Sequence, residues 1–123
     1  MSDTCGLHVL IIDDHRNTRE TLAMALGTQD CRVDVAQDAR DAWKLAEACR
    51  YDWIVCDVRM PEIDGIQLGQ QLRAKWPDVR LVLMSASMLS TSEYAQATAL
   101  GAPLLTKPVL PATLVALFRR PLV

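Results

Sequence analysis

Short apolar runs rich in β-branched residues alternate along the chain with longer stretches in which apolar residues return every three or four positions. Runs of the first kind fit strands, stretches of the second fit amphipathic helices, and regular alternation of the two predicts a parallel sheet with crossover helices. Five such pairs follow one another. The strand segments are His8–Ile12, Arg32–Ala36, Trp53–Asp57, Val79–Met84 and Leu104–Thr106. The first, third and fourth are nearly continuous in apolar residues, so both of their faces are expected to be covered.

The helices carry their own punctuation. Thr18, Leu22, Ala25 and Leu26 form the stripe of helix one, and Gly27 stands where a left-handed stop is expected. Asp38 is placed to cap helix two, with Ala39, Ala42, Trp43, Ala46 and Cys49 as its buried side. Helix three uses Leu68 and Leu72 and ends near Trp76, because Pro77 disfavours helical geometry in the residue before it. Ser90 and Glu93 read as a capping box for helix four, which runs to about Leu100 before Gly101 and has a weak apolar stripe. Leu110, Leu114, Leu117 and Phe118 make helix five, with Pro111 in its first turn and Pro121 as its stop.

Composition narrows the class. The 123 residues suit one domain, and half are apolar, which excludes a disordered chain. Thirteen Lys and Arg against fifteen Asp and Glu leave a charge of -2, without the basic excess that a nucleic-acid surface needs. Apolar runs such as Val9–Ile12 and Leu81–Met84 fall far short of the roughly 20 residues that cross a bilayer. Residues 1–7 lack the basic patch and apolar stretch of a secretory signal, so a cytoplasmic protein with no membrane or direct nucleic-acid partner is expected. Cys5, Cys31, Cys49 and Cys56 show no paired spacing and are read as reduced thiols.

In an open parallel sheet, ligands bind at the carboxyl ends of the strands. Strand one ends in Asp13 and Asp14, strand three in Asp57, strand four in Ser85, and strand five in Lys107 followed by Pro108. Each residue alone has an ordinary reading: acids favour helix N-termini, a serine makes turns, and a lysine is a solvated charge. Their coincidence at one edge overrides those readings. Clustered carboxylates repel, and a hard divalent cation such as Mg²⁺ relieves the repulsion. A lysine and a hydroxyl beside them would neutralise and hydrogen-bond a phosphoryl group carried on one carboxylate, the chemistry of an aspartyl phosphate.

From Asp13-Asp14, Asp57-Val58-Arg59-Met60-Pro61 with Asp64-Gly65, Ser85-Ala86, and Gly101-Ala102 leading to Lys107-Pro108, the chain resembles the receiver domain of two-component response regulators. The likeness covers about residues 7–118 of a single domain, 1–123. It implies a flavodoxin-like, doubly wound α/β fold with strand order 2-1-3-4-5 and five helices. It further implies Asp57 as phosphoacceptor and Mg²⁺ held by Asp14, Asp57 and the Arg59 carbonyl, with Asp13 acting mostly through water. Ser85 and the Ala86 backbone amide would hydrogen-bond the phosphoryl group, Lys107 would pair with it, and the Lys107-Pro108 bond would be cis. The implied donor is a sensor histidine kinase or histidine phosphotransfer protein, and the implied output face is helix four, strand five and helix five.

The chain departs from the family pattern in three places: Leu104 stands where an aromatic residue is usual, the segment from Gly101 to Lys107 is one residue short and contains Pro103, and Ser85 replaces the commoner Thr. Arg59 is expected to lie over the phosphoryl group and prolong its life, and Ser87 offers no group to orient an attacking water. His15, directly after the acid pair, is within reach of the phosphoryl site but is read first as an exposed residue opening helix one; Trp53 and Trp43 are read as packing residues, and His8 as lying at the opposite rim. The leading function is a phosphorylation-controlled switch that is not a metabolic enzyme; the alternative is a receiver fixed in one state that binds its partner without phosphorylation. A phosphohydrolase of the haloacid-dehalogenase kind lacks its second acid, since Arg59 stands there. A dinucleotide-binding domain lacks its glycine-rich turn.

Overall fold

A computed structural model describes residues 6–119; Cys5 and Pro121 lie outside them. The elements follow as β1 (His8–Ile12), α1 (Arg16–Gly27), β2 (Arg32–Ala36), α2 (Ala39–Ala48), β3 (Trp53–Asp57), α3 (Gly65–Lys75), β4 (Arg80–Ser85), α4 (Thr91–Ala99), β5 (Leu104–Thr106) and α5 (Pro111–Phe118). The five strands pair in parallel in the order β2-β1-β3-β4-β5. Strand four begins and ends one residue later than the sequence pattern suggests, which brings Ser85 into the ladder opposite Thr106.

Alternation along the central strands divides the interior into two cores, because successive side chains leave a strand on opposite faces. Leu10, Ile12, Ile54, Cys56, Leu81 and Leu83 face α2, α3 and α4, meeting Ala42, Ala46, Ile66, Leu72 and Ala97. Val9, Ile11, Trp53, Val55, Val82 and Met84 face α1 and α5, meeting Leu22, Leu26, Leu114 and Phe118. Three helices therefore cover one face and two the other, which is what the continuous apolar runs require.

The caps explain where helices start. Asp38 accepts the Asp41 amide, Asp64 accepts the Gln67 amide, and Ser90 with Glu93 forms the complete capping box. Helix α4 buries only Ala97, as its weak stripe predicted. Gly101 ends the segment at φ 66.

Three sequence expectations are corrected. Gly27 is not a left-handed stop: α1 closes through Thr28 in right-handed geometry, and Asp30 takes the left-handed turn at φ 63. Cys49 is exposed, because it is the extended C-cap of α2 and no longer follows the helical stripe. Leu110 is also exposed, since Pro111 opens α5 and leaves Leu110 at the N-cap, outside the helical face. Among the described residues Cys31, Cys49 and Cys56 form no disulfide, and no helix is long and apolar enough to cross a membrane.

Candidate functional site

The carboxyl edge of the sheet gathers its polar residues because three buried strands end there together. Asp13 follows β1, and its amide donates to the Ala36 carbonyl at 3.1 Å, while Arg19 of α1 donates to the Asp13 carbonyl at 2.8 Å. Asp57 is the last residue of β3, and the next amide, of Val58, continues the ladder to Met84 at 2.8 Å. Lys107 follows β5 and is fixed by its amide on the Ser85 carbonyl at 3.0 Å. The Lys107-Pro108 bond is cis, as expected.

Lys107 bridges two buried acids. Its Nζ lies 2.7 Å from Asp13 Oδ2 and 3.1 Å from Asp57 Oδ2, and both carboxylates are almost wholly removed from solvent. Asp57 Oδ1 accepts the Arg59 amide at 3.2 Å. Burial, followed by repulsion from Asp13, raises the Asp57 carboxyl above its ordinary range despite the opposing Lys107 bond and Arg59 amide. Burial alone would lower Lys107, but its bonds to Asp13 and Asp57 prevail and raise it. Asp13 Oδ2 has no hydrogen bond of proper geometry and is met only by the ammonium charge.

Asp13, Asp14, His15 and Asp57 offer four ligand atoms within 4.8 Å of one another, and Asp14 is the exposed acid of the set. Hard carboxylate oxygens with an open solvent side suit a small divalent cation that retains waters. Cys56, beside Asp57, contributes nothing reactive, because burial raises its thiol far above the ordinary range.

Ser85 is buried at the end of β4, but its hydroxyl donates to the Ser87 carbonyl at 2.7 Å and accepts the Ser87 amide at 3.2 Å. It is therefore engaged in its own turn, and no bond joins it to Asp57. Arg59 also differs from expectation. Its guanidinium reaches Glu93 at 2.6 and 3.0 Å and Ser87 Oγ at 3.3 Å, so it spans to the N-terminus of α4. That bond holds the Glu93 carboxyl below its usual range.

Two further residues shape the site. His15 does open α1 and is exposed, yet Nδ1 stands 3.1 Å from both Asp13 Oδ1 and Asp14 Oδ1. Its position directly after the acid pair was the available signal. Gly65 is the other: a Cβ there would strike the Asp57 carbonyl oxygen, so α3 can start against the end of β3 only with glycine. The Gly65 amide donates to Val58 at 2.9 Å. Trp53 packs on Phe118 and Trp43 on Trp76, as expected of core residues.

Residues 9–119 match the family model described as the response regulator receiver domain. Among curated proteins, the response regulator MprA of Mycolicibacterium vanbaalenii is 36% identical over 80 residues, covering 65% of this chain and 35% of that protein. The sensor histidine kinase AtsR of Burkholderia thailandensis is 30% identical over 95 residues, covering 77% of this chain and 15% of that protein. The chain thus spans about a third, or less, of the curated relatives it matches. Among solved structures, chemotaxis protein CheY4 of Vibrio cholerae superposes with a TM-score of 0.83 at 27% identity, over 94% of this chain and 98% of that one. A response regulator of Burkholderia pseudomallei, solved with a phosphorylated aspartic acid, calcium ion and citrate, gives a TM-score of 0.81 at 29% identity, over 89% and 65%.

Proposed function

The chain belongs to the response regulator receiver-domain family, and from that premise we propose that Asp57 accepts a phosphoryl group in a Mg²⁺-dependent reaction and thereby controls a protein-interaction face. The carrying observation is the buried Asp57 carboxylate, bonded to Lys107 and crowded by Asp13 and Asp14. An Asp57 oxygen attacks phosphorus, and the bond from phosphorus to the donor histidine or small acyl phosphate breaks. Lys107 stays on the phosphoryl oxygens and balances their charge. Ser85 would exchange its bond to Ser87 for one to the phosphoryl group, beside the Ala86 amide. Asp14, Asp57 and the Arg59 carbonyl would hold Mg²⁺, with Asp13 mostly through water; the cation supplies charge neutralisation during transfer.

The donor is a sensor histidine kinase or histidine phosphotransfer protein. The output face comprises α4, β5 and α5, whose shallow member, α4, is the segment most easily shifted. The single domain acts as a phosphoacceptor in signalling, whatever output follows it. A receiver fixed in one state is the second reading, favoured by Leu104, a half-buried aliphatic residue packed on the α2–α4 side of the sheet.

Incubation with acetyl phosphate and Mg²⁺, followed by intact-mass measurement, should add one phosphoryl group to the wild type. Neither Asp57→Asn nor chelator-treated wild type should be labelled. Equal labelling of Asp57→Asn would refute the assignment, and an unlabelled, folded wild type would favour the fixed-state reading.

A further inference from the structure

His15 occupies the N-cap of α1 without using its side chain to cap the helix. Its backbone amide already satisfies Asp13 Oδ1 at 2.8 Å, so the ring is not needed to hold that acid. The ring nevertheless turns over the acidic site. Nδ1 lies 3.1 Å from Asp13 Oδ1, 3.1 Å from Asp14 Oδ1 and 4.0 Å from Asp57 Oδ2.

Those three spacings have a shared meaning. Around an octahedral cation with bonds of about 2.1 Å, neighbouring donors lie about 3.0 Å apart and opposite donors about 4.2 Å apart. Nδ1 therefore stands at the separation of an adjacent donor from Asp14 and of an opposite donor from Asp57, and within hydrogen-bond reach of Asp13, which meets the cation through water. Asp13, fully buried, is met on both sides, Oδ2 by the Lys107 ammonium and Oδ1 by the His15 amide, so Asp14 is the acid of the pair left open to a cation.

We infer that His15 Nδ1 becomes an additional ligand when a first-row transition cation such as Ni²⁺ takes the site, and that this nitrogen raises the affinity for such a cation relative to Mg²⁺. The inference rests on the cation-site reading above. An all-oxygen site suits Mg²⁺, whereas imidazole raises affinity along the series from Mn²⁺ to Ni²⁺ far more than for a hard ion. His8, the other histidine, is occupied at the opposite rim by Asp34 and the Arg50 carbonyl.

The test is calorimetric titration of the untagged chain with Mg²⁺ and with Ni²⁺ at pH 8, for wild type, His15→Ala, His15→Gln and Asp14→Asn. Even loss of an outer partner of a ligand costs about 10-fold in affinity, so both His15 variants should weaken Ni²⁺ binding by at least about tenfold. Their Mg²⁺ affinity should remain close to wild type, and Asp14→Asn should weaken both cations. Co²⁺ added to wild type should give a hyperfine-shifted imidazole N–H resonance that disappears in His15→Gln. If Asp14→Asn weakens both cations but the His15 variants keep the wild-type Ni²⁺ to Mg²⁺ ratio, the His15 inference alone is overturned. If Asp14→Asn changes neither affinity, the cation-site reading fails and this inference falls with it.

Discussion

Asp57 is held in an ionised form that its surroundings disfavour. Burial and the nearby Asp13 raise its carboxyl above the ordinary range, so the penalty is absent below the unfolded-state value, develops as pH rises from there to the raised folded-state value, and is full above it. Asn has nearly the same shape and no charge. Asp57→Asn should therefore melt above wild type at pH 7 in cation-free buffer. For a domain of this size each 1 kcal/mol gained raises the melting temperature by roughly 4 °C. The gain should shrink as pH is lowered, and also on adding Mg²⁺, because proton and cation each relieve the repulsion in the wild type. Differential scanning calorimetry across pH decides this, and a variant that melts below wild type at pH 7 contradicts it. Lys107 does not lose its anchor in the variant, since it retains Asp13 at 2.7 Å.

At the scale of elements, the contact that matters most to α4 is one that sequence did not disclose. Arg59 and Glu93 are 34 positions apart, and only the fold brings the β3–α3 loop against the first turn of α4. Glu93 thereby joins its local capping box to the segment that carries Asp57. The Glu93→Gln substitution retains a capping side chain but loses the charge. Amides of residues 86–101 should exchange faster in Glu93→Gln and also in Arg59→Ala, as read by hydrogen-exchange mass spectrometry. Unchanged exchange there in both variants would mean that the pair does not hold α4. What was legible in the chain follows the same division. Caps at Asp38 and Ser90, the stop at Trp76 and the three apolar strands obey rules spanning a few residues, and the structure agrees with them apart from the one-residue shift of strand four. Gly27 and Leu110 were misplaced because the turn geometry lies in Asp30 and Pro111, just beyond the periodic pattern. The acids and Lys107 could be gathered from strand ends, whereas the direction of the His15 ring and of the Arg59 side chain depends on packing across elements.

Viewed as a whole, the molecule has two unlike rims. The carboxyl rim concentrates charge, an exposed imidazole and the first turn of the lightly packed α4. The opposite rim is pinned. Asp34 there accepts bonds from Tyr51 at 2.7 Å and His8 at 2.8 Å, the His8 and Tyr51 rings lie 4.4 Å apart, and Asp52 accepts the His8 amide at 2.8 Å. Burial and the bond to Asp34 raise the Tyr51 hydroxyl far above its ordinary value, so it remains a donor throughout the usual pH range.

All three tryptophans lie away from the carboxyl rim. Trp53 begins β3 with Arg80 stacked 4.2 Å above it, Trp76 ends α3, and Trp43 leans on Trp76 with Lys75 alongside. Intrinsic emission therefore originates from the end of the molecule opposite Asp57. Addition of Mg²⁺ or beryllofluoride should leave the emission maximum and intensity essentially flat while exchange in residues 86–101 responds; a large quench would mean that the disturbance crosses the whole sheet. To make the site optically visible, a reporter has to be built in, for example by Tyr94→Trp on the exposed side of α4.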